Sequence, residues 1–406
     1  MSVPLDRLYN FLHDVCNHRD LIIYRFFPHG SRKITDLKPQ VEPKDWEEAI
    51  DRIANKRFMI VHDQEPLNFE LYTSPDLLDQ IHQSSDAISI FRYMDEHLKE
   101  QYKKLIIQIM PELNIKIAVG GIMWKVPMLL IHSEQRSKNL AMYEDIDFIG
   151  VYWWCHAAIA RDWFRYAEHD PLLSRRDPQK DFLIYNRAWS GTREYRLKFA
   201  ELIIDHNLVQ NCVMGFNSFD DVDYRDHQFQ NSNLQIQRDD LENYFFHNTT
   251  PSTASADYNS VDYQTTNLEV VLETLFDDDR LQLTEKILRP IACGHPFMIA
   301  STQGTLEYLQ NYGFKTFGDL IDETYDTIED PVERLQAIVI ELKRIANLPI
   351  VQKEILFSSM RDVADYNRRL FFSTEWHDKI IKEYQDNLNS AIQILDFKKT
   401  QPVIRF

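Results

Sequence analysis

Glycine is scarce in this sequence, with 10 residues among 406. Phosphate-binding loops of the P-loop and dinucleotide-binding types need several glycines at fixed spacing, because the backbone there must approach the phosphates closely. Neither a GxGxxG nor a GxxxxGK[ST] pattern occurs. The sequence therefore excludes the common glycine-rich nucleotide loops.

Cysteine is also scarce, and the four residues Cys16, Cys155, Cys212 and Cys293 show no CxxC or CxxH spacing. This pattern indicates neither a zinc site nor a disulfide framework. The acidic run 277–279 precedes a helix and is typical of solvated charge rather than of a DxD metal motif. We therefore expect no metal site and no cofactor.

Long apolar runs and excess positive charge are missing as well. No run reaches the length of a membrane span, and the first residues lack the basic and apolar regions of a signal peptide. We expect a cytoplasmic protein with no membrane partner. The net charge of −18 argues against nonspecific coating of nucleic acid, although the SRR segment at 174–176 leaves a local basic surface open.

Strand-like and helix-like patterns alternate along the chain, which predicts largely parallel sheets. The fold class expected is α/β, with two Rossmann-like domains facing across a cleft and a C-terminal helical segment. The predicted domains are residues 1–175, 176–369 and 370–406. Predicted strands are 21–27, 58–63, 87–91, 115–120, 147–154, 181–186, 208–216, 268–276 and 296–301. Predicted helices are 193–206, 283–293, 305–313, about 332–345 and about 350–395, and residues 217–265 are predicted to form a long loop.

The segment 283–317, LTEKILRPIACGHPFMIASTQGTLEYLQNYGFKTF, carries the strongest functional signal. Thr284 can cap a helix whose first turn presents Glu285 to ribose hydroxyls and Lys286 to a diphosphate. A second turn, from Ser301 to Gly304, precedes another helix, and two helix N-termini suit a nucleotide diphosphate. The alternative is an ordinary capping pair beside a solvated lysine, and composition alone favours it.

The order TEK, RPI, G-x-PF, G-x-L-x-x-L, GFKTF and DETYD resembles a C-terminal signature of phage and bacterial glycosyltransferases. It is also similar to the TEK segment of α1,3-fucosyltransferases, which have the GT-B architecture. The resemblance implies that Glu285 contacts the donor ribose and Lys286 the diphosphate of a UDP- or GDP-linked sugar. It also implies that no metal is required and that the last helix, at about 370–395, crosses back to the first domain.

Arginines follow the predicted strand 181–186. In the fucosyltransferase pattern an arginine in the first turn of the next helix binds the donor phosphates, which suits its planar, bidentate guanidinium. Arg196 fits that spacing best, and Arg193 and Arg187 are its rivals; a solvated helix face is the alternative. Glu273, at the end of a strand, is expected to face the donor sugar.

Two segments of the first half are candidates for the acceptor side. The strand 58–63 carries His62 and Asp63 to its carboxyl end, and Glu65 precedes Pro66. Asp63 or Glu65 is the expected general base and His62 an acceptor-binding residue, with an Asx-type turn as the alternative. A DQEP-like motif also occurs in phage proteins that this chain resembles.

The second segment, 151–170, combines aromatic and basic side chains, most of which are typical of core. We select His156 and Arg161 from it as acceptor-binding residues.

We predict a metal-independent, inverting glycosyltransferase that transfers a sugar from a nucleotide-sugar to an acceptor hydroxyl. The phage resemblance implies hydroxymethylcytosine in DNA as the acceptor and the host cytoplasm as the location. A surface polysaccharide is the rival acceptor. The alternative from a different functional class is a non-catalytic nucleotide-binding protein of the same fold.

Overall fold

The computed structural model describes residues 21–25, 57–61, 128–137, 140, 148–216, 220, 223–244 and 257–400. The chain divides into two compact units. We call residues 6–155 and 380–406 the first unit, and residues 1–5 and 156–379 the second unit. Within the described residues, none of the helices is long and apolar enough to cross a membrane.

The first unit contains a sheet of four parallel strands in the order β1-β2-β3-β4. The strands are β1 (Leu21–Arg25), β2 (Arg57–Val61), β3 (Met128–His132) and β4 (Phe148–Tyr152). The predictions for β1, β2 and β4 are confirmed, whereas β3 was not predicted. Its apolar run MLLIH is short, and such a run has no periodicity that separates a buried strand from a helix. The predicted strands 87–91 and 115–120 lie outside the described residues.

The C-terminal residues pack on the end of β4. The Trp153 indole donates a hydrogen bond to the Ile380 carbonyl at 3.1 Å, and its ring lies 4.7 Å from that of Tyr384. Asn387 Nδ2 donates to the Tyr152 carbonyl at 2.8 Å. These bonds fix the chain that leaves β4.

The second unit contains a parallel sheet in the order β6-β5-β7-β8. The strands are β5 (Lys180–Asn186), β6 (Cys212–Phe216), β7 (Thr266–Leu272) and β8 (Phe297–Ala300). Their side chains are largely buried, as expected when helices cover both faces of a parallel sheet. The α/β class with parallel sheets is confirmed.

The helices that the structure describes are numbered here in chain order. They are α1 (Cys155–Trp163), α2 (Tyr195–Asp205), α3 (Ser260–Thr265), α4 (Glu285–Cys293), α5 (Thr305–Asn311), α6 (Pro331–Ala346), α7 (Ile350–Phe372) and α8 (Thr374–Thr400). Local sequence sets their ends. Asp330 accepts hydrogen bonds from the amides of Val332 and Glu333 and so caps α6, and Gly294, at φ 62°, ends α4.

The predicted helical tail forms two helices that are separated at Ser373, where the backbone is extended. The described part of the predicted loop 217–265 is held on α2 by two carboxylates. Glu194 accepts from the amides of Gln230 and Asn231 at 3.0 and 3.1 Å, and Glu201 accepts from the Arg238 amide at 2.9 Å. This segment is therefore packed against the domain.

Candidate functional site

The candidate site lies at the carboxyl edge of the second sheet. The chain runs from β5 outward to β6 and then returns to the other side of β5 as β7. Such a reversal leaves a crevice between β5 and β7 at the carboxyl ends of the strands, where open α/β sheets bind ligands. Asn186 ends β5 and Glu273 directly follows β7, so both lie at this crevice.

Glu273 holds the N-terminus of α4 in place. Its buried carboxylate accepts hydrogen bonds from the Thr284 amide at 3.1 Å and from the Thr284 hydroxyl at 2.7 Å. It also accepts from the Thr274 amide at 3.1 Å. Thr284 Oγ1 in turn accepts from the Lys286 amide at 3.3 Å, as a helix cap. The structure thus gives Glu273 and Thr284 the task of positioning the TEK turn, and direct contact of Glu273 with the donor sugar stays a prediction.

Glu285, which is buried, and Lys286 form a charged pair in this turn. Lys286 Nζ lies 3.2 Å from Glu285 Oε1 and donates to Thr284 Oγ1 at 3.1 Å, with about a fifth of its side chain (21 %) exposed. His156 Nε2 lies 3.9 Å from Glu285 Oε2. Burial by itself raises the pKa of Glu285. The charges of Lys286 and then His156 lower it by more, so the net pKa lies below the ordinary value. The carboxyl group is therefore ionised at neutral pH and can accept hydrogen bonds from hydroxyls.

Arg196 brings a buried positive charge to the same edge. Its side chain reaches from α2 to the carbonyls of Leu272 and Glu273, at 2.7 and 3.0 Å, and to that of Ala188 at 2.5 Å. Within the described residues it forms no ion pair with a carboxylate. Burial lowers the pKa of the guanidinium, yet arginine stays protonated in proteins. Its short hydrogen bonds go to carbonyls, and the nearby Glu273 charge attracts it. A further anion close to this buried cation would be stabilised.

Three buried donors at this edge lack a hydrogen-bond partner among the described residues. They are Asn186 Nδ2, Arg196 Nε and Thr302 Oγ1, and each residue is at most 2 % exposed. An unsatisfied buried donor costs about 1–3 kcal/mol, so native structures rarely keep one without a reason. Asn186 ends β5, the Arg196 guanidinium reaches from α2 to the carbonyls at the end of β7, and Thr302 follows β8. These strands are neighbours in the sheet. A bound anion would satisfy them.

The turn after β5 adds two further arginines. Arg187 is exposed directly after the strand, and Arg193 is half-buried in a 3-10 turn before α2. Asp220 accepts from the amides of Trp189 and Ser190, at 3.1 and 2.8 Å, which fixes the turn. Burial raises the pKa of Asp220, but its bonds to Ser190 and Trp189 and the charge of Arg193 outweigh it and lower the pKa. Arg187 and Arg193 therefore lie on the β5–α2 connection, and Arg196 lies in the first turn of α2.

The second predicted helix N-terminus is already occupied, contrary to expectation. Asp326 accepts from the amides of Thr305 and Leu306, both at 3.0 Å, and so caps α5. Gly304, at φ 83°, donates its amide to the Asp326 carbonyl, and Ser301 Oγ donates to the Leu275 carbonyl at 3.3 Å. A carboxylate from a later turn thus fills this N-terminus, and donor binding by Ser301 and Gly304 stays a prediction.

The remaining predicted residues lie elsewhere. Arg161 donates to the carbonyls of Phe371, Phe372 and Ser373 and so caps the C-terminus of α7. His156 is a predicted acceptor-binding residue. It lies beside Glu285, which is one of the predicted donor-binding residues. Acceptor roles for both stay predictions. His62, Asp63 and Glu65 lie outside the described residues.

Sequence reasoning did not select Asn186 or Thr302. The position of Asn186 at the end of a predicted strand was the available signal, since strand ends form the ligand edge of a parallel sheet. Thr302 carried no signal of its own, because only the packed structure shows that its hydroxyl is buried without a partner.

Among the described residues, no three His, Cys, Asp or Glu side chains are grouped so that they could hold a metal ion. Comparison with known proteins assigns no family to the chain: no protein-family model matches the sequence, and no curated protein matches it significantly.

Proposed function

We propose that the protein is a metal-independent glycosyltransferase that binds a nucleotide-sugar at the carboxyl edge of the second sheet. The observation that carries the proposal is the group of buried donors at this edge, Asn186 Nδ2, Arg196 Nε and Thr302 Oγ1. Because all three can donate and one belongs to a cation, their common partner is an anion, and a diphosphate supplies several acceptor oxygens.

The TEK turn supplies the other half of the recognition. Glu285 is ionised and accepts from the ribose hydroxyls, while Lys286 donates to the diphosphate. Arg193 and Arg187, on the turn after β5, add positive charge. A nucleoside diphosphate presents its hydroxyls and its phosphates side by side, which matches the adjacent carboxylate and ammonium groups.

The proposed reaction is an inverting transfer in the GT-B architecture implied by the TEK resemblance. The acceptor hydroxyl attacks the anomeric carbon, and the bond to the diphosphate breaks. Lys286 and the arginines stabilise the negative charge on the leaving diphosphate, as preorganised cations do in such reactions. Asp63 and Glu65 are the sequence candidates for the base. The proposed acceptor is hydroxymethylcytosine in DNA.

A donor screen tests this proposal. Purified protein is incubated with UDP- and GDP-sugars, with and without hydroxymethylcytosine DNA, and with EDTA present throughout. We expect slow donor hydrolysis alone and faster turnover with the DNA. Transfer to a polysaccharide instead would keep the enzyme and replace the acceptor. Binding of UDP or GDP without any turnover would indicate a non-catalytic nucleotide-binding protein, and absence of both would refute the proposal.

A further inference from the structure

Three arginines lie together at the amino edge of the second sheet, the edge opposite the candidate donor site. Arg176 precedes β5, and its guanidinium donates to the Gly294 carbonyl at 2.9 Å and to His295 Nδ1 at 3.1 Å, just before β8 begins. Arg361 and Arg368 lie on α7, about two helical turns apart, so their side chains leave the same face of the helix. We call Arg176, Arg361 and Arg368 the arginine cluster.

The three side chains converge on the turn between α4 and β8. A Cβ atom at Gly294 would lie only 3.0 Å from Arg368 Cδ, so Arg368 packs directly against this turn. Burial and then the charge of Arg361 lower the pKa of Arg176, and Arg368 adds a smaller effect in the same direction. Burial, Arg176 and Arg361 likewise lower the pKa of His295 well below its usual range. The positive charges therefore act on one another at short range, which costs free energy unless an anion is close.

Two members of the cluster are bonded to the protein, whereas the third is open. Arg176 also donates to the Tyr263 carbonyl at 2.7 Å, and Arg368 donates to the Ala167 carbonyl at 2.5 Å. Arg361 makes no hydrogen bond and no ion pair with any residue that the structure describes. It is only half-buried, so a ligand can reach its guanidinium from solvent.

The nearby carboxylates do not balance the cluster. Asp365 lies on α7 between the two arginines of this helix, and its charge attracts Arg176. Asp170 is within electrostatic range of Arg368, but its carboxylate already accepts from the Ser260 hydroxyl at 2.6 Å. These two carboxylates face three guanidinium groups, which leaves an excess of one positive charge.

A phosphate group has the chemistry that the open guanidinium needs. The planar fork of arginine makes two parallel hydrogen bonds to phosphate oxygens, and a phosphodiester carries the one negative charge that the cluster lacks. The diphosphate of the donor is too distant to fill this role. Because β5 has seven residues, the two edges of the sheet are about 20 Å apart. The cluster therefore fits a second phosphate, on a different ligand.

We propose that Arg361 binds a backbone phosphate of the acceptor DNA, with Arg176 and Arg368 raising the local positive potential. The identity of the acceptor rests on the proposed function. The contact gives the SRR segment, which contains Arg176, a role on a chain whose net charge of −18 otherwise repels DNA. Since successive phosphates of one strand are 3.4 Å apart along the duplex, about 20 Å corresponds to a phosphate roughly six nucleotides from the modified base.

Fluorescence anisotropy with a labelled duplex tests this contact. The duplex carries hydroxymethylcytosine at its centre and extends at least about ten base pairs on each side. In Arg361→Gln we expect about 10-fold weaker binding, the low end for a hydrogen bond to a charged group. The slope of log K against log salt concentration should fall in magnitude by about 0.9, because one phosphate contact is lost. Arg361→Lys keeps the charge without the fork, so it should keep the slope and lose only part of the affinity.

Arg369→Gln is the matched control, because it removes the same charge from an exposed position on α7. It should bind the duplex as the parent does, and all variants should bind UDP and GDP normally. Parental affinity and salt slope in Arg361→Gln, or equal losses in Arg361→Gln and Arg369→Gln, would overturn the inference.

Titration with inorganic phosphate alone separates the two sources of the anion. Phosphate binding that needs Arg361, together with DNA binding that does not, would assign the cluster to a free phosphate compound and overturn the DNA contact. Arg361-dependent DNA binding by a parent protein that turns over no donor would instead refute the proposed glycosyltransferase and leave this contact in place.

Discussion

Replacing Lys286 with alanine isolates the charge that we assign to the donor diphosphate. The lysine is held at the TEK turn by Thr284 and Glu285, at 3.1 and 3.2 Å, with 21 % of its side chain exposed. A partly exposed ion pair of this kind contributes about 0–1 kcal/mol to stability. We therefore expect the variant to fold, with a melting temperature close to that of the parent.

The effect on donor binding should be much larger. A hydrogen bond to a charged group contributes about 1.5–3 kcal/mol, which corresponds to a loss of roughly 10- to 150-fold in affinity for UDP or GDP. A second effect acts through Glu285. Lys286 is the main charge that lowers the pKa of this carboxyl against the effect of burial, so the pKa rises in the variant. Binding should then weaken further as the pH falls, because a protonated Glu285 accepts hydrogen bonds less well.

Isothermal titration of UDP and GDP at pH 8 and pH 5.5 measures both effects. Lys198→Ala is the matched control, because this lysine also pairs with a glutamate, Glu201, and has a similar side-chain exposure of 17 %. It should bind nucleotide as the parent does. Equal affinity in Lys286→Ala and the parent would refute the diphosphate role. Equal losses in both lysine variants would show a general effect of charge rather than a contact at the TEK turn.

Three further outcomes follow from the same contacts. Glu273→Gln should lower the free energy of unfolding by about 2–3 kcal/mol, because an amide cannot accept all the hydrogen bonds that hold Thr284. Thermal melting measures this, and Glu307→Gln, at an exposed position, is the control. An unchanged melting temperature would contradict the prediction. Burial lowers the pKa of His132 in the folded protein from the ordinary value of 6.5 to about 4, so its contribution to stability is present above pH 6.5 and is lost as the pH falls toward 4. The parent should lose about 2.5 kcal/mol more than His132→Gln between pH 7 and pH 4.5. Urea unfolding at these two pH values measures the difference, and equal losses would show that this histidine does not titrate in the folded protein as argued. Transfer should persist in EDTA, and a complete loss that only manganese or magnesium restores would refute a metal-independent mechanism.

Several elements could be predicted from the sequence, because their signals are local. Buried runs such as 181–186 predict strands of parallel sheets, and Thr284 followed by Glu285 predicts the start of a helix. The helix α6 follows in the same way from the pair Asp330-Pro331. The cap, carboxylate and ammonium of the TEK turn are also consecutive in the sequence, although composition alone favours an ordinary capping pair there.

Other features depend on residues that are distant in the chain. The occupation of the α5 N-terminus by Asp326, and of the α7 C-terminus by Arg161, cannot be foreseen from spacing, since each partner comes from a separate element. The approach of His156 to Glu285 across 129 positions of sequence, 285 − 156, is of the same kind. Such contacts give a polar side chain a partner within the protein, and the sequence does not show which side chains have one.

The sequence by itself determined most of the strands and helices that the structure describes, with β3 and α3 as exceptions, because burial periodicity and caps are properties of neighbouring residues. The tertiary structure alone decided which polar atoms keep an unsatisfied hydrogen bond. Arg196 Nη1 lies 3.5 Å from Asn186 Oδ1 only in the folded sheet, and Thr302 follows β8, the neighbour of β7. Hydrogen-bond satisfaction depends on every group within about 3 Å in space, so no local reading of the chain reveals which donors are left for a ligand.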